Sequence, residues 1–225
     1  MEPSADSRPV AGQESLGALL GGRGGAVDAT LPPLAFVVGW LLSDESIWIG
    51  SAVALVIGLA IAGYRLSKGD RPRAVLLGML GVCAAALVAL YTGRAADFFL
   101  VQLLSNVASA LAWLVSIVIG WPLLGVVVGT ALGQRTRWRR DPDLLRAYRL
   151  ASWVWVGQYL VRIVVFSSLW WIDAVIALGV SRVALSWPLV ALCVAVSGWV
   201  LFRVLPAGHP GIRHPRTPEQ QVTPG

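Results

Sequence analysis

Polar and apolar positions alternate along this chain on the scale of whole helices. Apolar runs occupy residues 29–42, 47–66, 74–91, 98–119, 150–171 and 187–202, separated by short polar or charged stretches. The run 150–171 reads LASWVWVGQYLVRIVVFSSLWW. As a helix it measures about 33 Å, enough to cross a hydrocarbon core of about 30 Å. Trp153 and Trp155 lie toward one end and Trp170 and Trp171 at the other, as in two interfacial aromatic belts. The 29–42 run is short, about 21 Å by helical rise. Asp28 or Thr30 is placed to cap it, and Pro32 and Pro33 suit a first helical turn. Residues 121–133, WPLLGVVVGTALG, are apolar but too few to span, which predicts a re-entrant or interfacial segment. The pattern predicts an all-α, polytopic transmembrane helix bundle of about six spans plus that short segment. A flexible tail over 1–27 precedes the membrane domain of 28–205, and a proline-rich, disordered tail over 206–225 follows it.

Two features interrupt the apolar spans. On 98–119, Gln102, Ser105, Asn106 and Ser109 follow the i, i+3, i+4, i+7 spacing of one helical face. On 150–171, Arg162 sits near the middle and shares its face with Gln158 and Tyr159. A charge at mid-membrane costs about 2.5–3.5 kcal/mol on insertion scales, so it turns toward protein or a wet cavity. Counted from the ends of the two antiparallel spans, Arg162 and Asn106 fall at matching depth. The expectation is a hydrogen bond from Arg162 to the polar stripe. Its role is either a fixed interhelical bond or a contact for an anionic group. Gly50, Ala54, Gly58 and Ala62 form a small-residue stripe on 47–66, where another helix can approach closely.

Composition agrees with the pattern: 56% of the 225 residues are hydrophobic and 13% charged, against about 25% charged in soluble domains. The net charge of +6 points to topology rather than to nucleic acid, because of where it lies. With the N-terminus inside, fifteen of the eighteen positive residues fall in the two tails, in the 65–73 and 134–149 loops, and at Arg203 at the inner end of the last span. All of these are then cytoplasmic, which predicts a multi-pass inner (plasma) membrane protein with both termini in the cytoplasm. Arg94 pairs with Asp97 at the outer start of the fourth span, and Asp173 and Arg182 are read as interfacial anchors in a semi-polar connection. Arg135, Arg137, Arg139 and Arg140, with Trp138 and Tyr148, either bind anionic lipid head groups or act as topology signals alone.

Absences narrow the chemistry. No Asp, Glu or His lies in the middle of a span, as a proton relay or cation path would need. No metal-ligand spacing, nucleophile–base pair or phosphate loop appears, and His209 and His214 lie five apart with Pro210 between them. Cys83 and Cys193 read as small buried hydrophobes. No enzyme activity, cofactor or metal is expected, and the expected partners are the bilayer, other membrane proteins or a second copy of the chain.

The segments LLGGRGGAVDATLPPLAFVVGW, TGRAADFFL, WRRDPDLLRAYRLASWVW and LGVSRVALSWPL resemble the actinobacterial membrane family called domain of unknown function (DUF) 3159. The resemblance covers roughly residues 16–204 and implies a polytopic membrane protein, with no functional residues to carry over. The order of a short LP-initiated span, an acidic turn, a long span and a basic loop is more distantly similar to the intracellular septation protein A family. That likeness implies a role in cell envelope synthesis or division through protein partners. The other reading is a transporter or a lipid- or anion-binding protein that uses Arg162. The orientation is checked by cysteine labelling with a membrane-impermeant reagent. Thr136→Cys is expected to label only from the cytoplasmic side and Glu45→Cys only from outside; outside access at 136 overturns it.

Overall fold

The computed structural model describes residues 22–69, 72–134, 136–206 and 209–212, with side chains from Thr30 onward. Among them there are helices and turns and no strand. The helices are α1 (Gly22–Leu42), α2 (Ile47–Ser67), α3 (Pro72–Thr92), α4 (Leu100–Val118), α5 (Leu123–Ala131), α6 (Pro142–Trp171), α7 (Val175–Ala184) and α8 (Trp187–Val204). Among the described residues, five segments are long and apolar enough to cross a membrane: α2, α3, Ala95–Val118, α6, and α7 with α8 together as Val175–Val204. The sixth expected span is α1, whose apolar part Thr30–Leu42 is shorter than the others. The fold is an all-α bundle, as the apolar pattern predicts.

Local chemistry explains where these helices begin and turn. The Asp141 carboxylate accepts from the backbone N–H of Asp143 and Leu144 at 3.1 and 3.3 Å, and Pro142 needs no N–H partner at the first helical position. The cap starts α6 eight residues before its apolar run. Asp44 and Glu45, at φ 52° and 62°, reverse the chain between α1 and α2. Two expectations change. Pro32 and Pro33 stand inside α1, which begins at Gly22, and not in its first turn. The 173–186 connection is not a loop but holds the ten-residue α7. Residues 121–133 form the nine-residue α5, as short as the sequence implies.

Close packing consumes the small residues. A Cβ on Gly50 would stand 3.0 Å from the Phe36 carbonyl oxygen, and one on Gly39 3.0 Å from Val53. The α2 stripe therefore receives α1, and Ala54 is fully buried there. Apolar packing gathers at two levels. Near the Asp97 end, Phe36 stacks on Phe98 at 4.0 Å, joined by Phe99, Phe166 and Leu178. Near the arginine-rich end, Trp138 meets Tyr148 edge-on at 5.5 Å, with Leu144, Ala147 and Ala151. Trp138 and Tyr148 are thus core residues, not a head-group surface.

The chain beyond α8 also departs from expectation in part. His209 is buried against Asp141, Nε2 to Oδ2 at 2.9 Å, and Gln134 Nε2 donates to the Ile212 carbonyl at 2.7 Å. His209 Nδ1 accepts from the Gly211 N–H, so Nε2 carries the proton given to Asp141. Asp143 lies beside this pair, but both ring nitrogens are occupied, so the group is a latch. Residues 1–21 and 213–225, which hold most of the two expected tails, lie outside the described residues.

Two glycines test the packing. A Cβ on Gly125 would meet three ring atoms of Trp138 at 2.8–3.0 Å, and that indole is 1% exposed. A Cβ on Gly78 meets nothing within 4 Å. Gly125→Ala is expected to lose about 1–3 kcal/mol of stability. Gly78→Ala is expected to be neutral or better in thermal unfolding of the detergent-solubilised chain.

Candidate functional site

The site arises where one helix breaks beside a charge on another. Pro188 has no N–H to return to the preceding turn, so α8 restarts at Trp187 and the chain does not run on from α7 as one helix. Leu185 and Ser186 form the turn between them. A helix end leaves carbonyls without intrahelical donors, and it carries partial negative charge. Arg162 answers both needs. Its Nη2 donates to Leu185 O at 2.6 Å and to Ser186 O at 3.3 Å. The partner expected from the sequence, the Gln102–Ser109 stripe, is therefore not the one that Arg162 bonds. The Leu185 carbonyl at the break is an acceptor without a helical donor, while Ser186 O already accepts from the Val190 N–H and Gln102 of the stripe bonds Asn106.

The depth match with the stripe nonetheless puts both on one cavity. A chamber of about 330 Å³ is lined by Gln102, Asn106, Gln158, Tyr159 and Arg162 from the predicted set. Thr30, Arg182, Ser186 and Trp187 complete its polar rim, and Trp155 and Phe166 lie toward its two ends along α6. Gln102 Nε2 donates to Asn106 Oδ1 at 3.1 Å, which leaves the Asn106 Nδ2 without a partner. Gln158 Oε1 and Arg162 Nε are likewise buried and unpartnered. Asn106 and Gln158 are 2% and 3% exposed, so water at the surface does not satisfy them. Orphaned buried polar atoms cost about 1–3 kcal/mol each. Arg162 also stands 5.7 Å from the Tyr159 ring centroid.

Ser105 and Ser109 separate from the other stripe residues. Ser105 lines a second cavity of about 300 Å³ between α1, α2, α3 and α4, and Ser109 lines neither. Gln102 and Arg182 line both, so the two cavities adjoin. Arg182 is thus an interior cation, in place of the interfacial anchor expected from its loop-like surroundings. Sequence reading missed it because α7 was not recognised as a helix; the signal was Pro188, which marks a helix restart. Toward one end, Trp155 Nε1 donates to Ser197 Oγ at 3.1 Å and its ring stacks on Trp113 at 5.1 Å, fixing α6 to α8 and α4.

The charged ends fall into place around this chamber. Asp97 accepts from Trp170 Nε1 at 2.7 Å, and Arg94 lies 3.9 Å from Asp97 and 3.6 Å from Asp173. The expected Arg94–Asp97 pair is present, and Asp173 joins it. At the other end Arg139 lies over the Trp121 ring at 3.9 Å, while Arg137 and Arg140 are exposed; Arg135 lies outside the described residues.

No curated protein and no solved structure matches the chain. The family described as "Protein of unknown function (DUF3159)" matches residues 20–207, which is most of the chain and takes in every described helix of the bundle. The four sequence segments, the apolar helices and the family match agree: this chain is a membrane protein and belongs to the DUF3159 family.

Proposed function

We propose that this protein binds an anionic group in the Arg162 chamber, as a non-enzymatic binding or transport component of the plasma membrane. The observation that carries the reading is a cavity with Arg162 on its wall and two buried, unpartnered donors, Arg162 Nε and Asn106 Nδ2. A merely structural arginine needs its carbonyl partners but no chamber. An anion would accept from the Arg162 guanidinium and from Asn106 Nδ2 together, and charge-assisted hydrogen bonds of this kind contribute about 1.5–3 kcal/mol each. With the arginine-rich end facing the cytoplasm, the chamber lies near mid-depth of the membrane.

An envelope or septation role through protein partners is the second reading. It loses one support, because the Gly50–Ala54–Gly58 stripe packs against helices of the same chain. The surface still carries many apolar side chains for bilayer or protein contact, Trp48 and Phe202 among them.

The test is purification of the full chain from its membranes, with identification of what is retained. An anionic compound near stoichiometric amount is expected with the native chain. Arg162→Gln is expected to retain about tenfold less, while staying monodisperse. Equal retention by both, or none by the native chain, overturns the reading; stoichiometric protein partners with an empty chamber favour the second.

A further inference from the structure

We infer that the ligand of the chamber is an anionic membrane lipid, whose apolar chain lies in the adjoining groove. This rests on the anion-binding reading above and names the class of molecule. The chamber holds buried polar atoms without partners, on Asn106, Gln158 and Arg162, whereas the adjoining groove adds none among the described residues. The groove is walled by Ile61, Val75, Met79, Val82 and Phe99, with Gln102 and Arg182 where it meets the chamber, Ser105 beside them, and Arg65 as its other charged lining residue. A soluble anion has no use for the apolar part; a neutral lipid has no use for the arginines. An amphiphile uses both, with its charged group at Arg162 and its chain among the groove residues.

The groove is also reachable from the bilayer. Gly78 is exposed and Gly81 partly exposed on α3, and a Cβ on either would meet nothing within 4 Å. Glycine there leaves the groove open along a helix that otherwise carries leucine, valine and alanine. A chain can enter sideways through that opening without any helix moving. The two cavities, about 330 and 300 Å³, together fall in the size range of small-molecule sites. The charged group would then sit at the level of Arg162, below the head-group layer of the surrounding lipid.

The same glycines make the test clean. Gly81→Leu and Gly78→Leu fill the groove from a position with free space, and leucine favours the helix over glycine. The full chain in detergent is titrated with dioleoyl phosphatidylglycerol, dioleoyl phosphatidylcholine or glycerol phosphate, and bound species are counted by native mass spectrometry. Phosphatidylglycerol is expected to bind about tenfold more tightly than phosphatidylcholine, and Arg162→Gln and Gly81→Leu are each expected to weaken it about tenfold. Glycerol phosphate is expected neither to bind nor to compete. Binding of glycerol phosphate that needs Arg162 and ignores Gly81→Leu overturns the lipid inference and leaves the anion reading standing. Equal binding of both lipids, indifferent to Arg162→Gln, overturns both. If Arg162→Gln does not fold, Gly81→Leu and the glycerol phosphate titration decide the lipid inference.

Discussion

Arg162 and the broken helix beside it compensate each other's costs. A guanidinium inside an apolar bundle needs acceptors, and the Leu185 carbonyl at the end of α7 needs a donor. Each would be unfavourable alone. Together, at 2.6 and 3.3 Å, they allow α7 and α8 to be separate helices within one membrane-length segment. Much follows from that permission. The break places Trp187 and Ser186 at the chamber, turns Arg182 of α7 inward, and keeps the lining from closing as continuous helices would close it. A neutral residue at 162 would leave the Leu185 carbonyl to find another donor.

The architecture divides its labour by level. Aromatic clusters pack the two ends, Phe36–Phe98–Phe99 at one and Trp138–Tyr148 at the other. Interior polar side chains collect between them. Such layering holds the helices at fixed spacing without filling the middle, since the ends carry most of the shape-specific contact. Trp155 marks the boundary at one level: its ring belongs to the stacked pair with Trp113 while its N–H reaches Ser197.

Periodicity and hydropathy made the helices legible, because lipid demands apolar runs of set length and satisfied backbone. The Asp141-Pro142 start, the Arg94–Asp97 pair and the short 121–133 segment were readable for similarly local reasons. What escaped the sequence depended on contacts between distant elements. Depth counting put Arg162 level with Asn106, and both do line the chamber; it could not say which acceptors would lie nearer. The α7 helix hid because its ten residues contain Ser181 and Arg182, which look like loop in a membrane chain until Pro188 is seen as a restart. Trp138 and Tyr148 sit among arginines in sequence and looked interfacial, yet Gly125 opens a buried place for the indole. Small-residue stripes announce close approach without naming the partner, and here the α2 stripe meets α1 at Gly50 and α3 at Gly58.

One carboxylate joins the middle of the chain to its far end. Asp141 gives one oxygen to the start of α6 and the other to His209, 68 residues later. During synthesis, α6 must therefore enter the membrane with half of its cap still facing water, and that oxygen is sealed only after α8 has been made. The residues that follow the last helix thus act as a closure on assembly, so a chain ended at Leu205 would keep every apolar helix and yet lack the piece that finishes the longest of them.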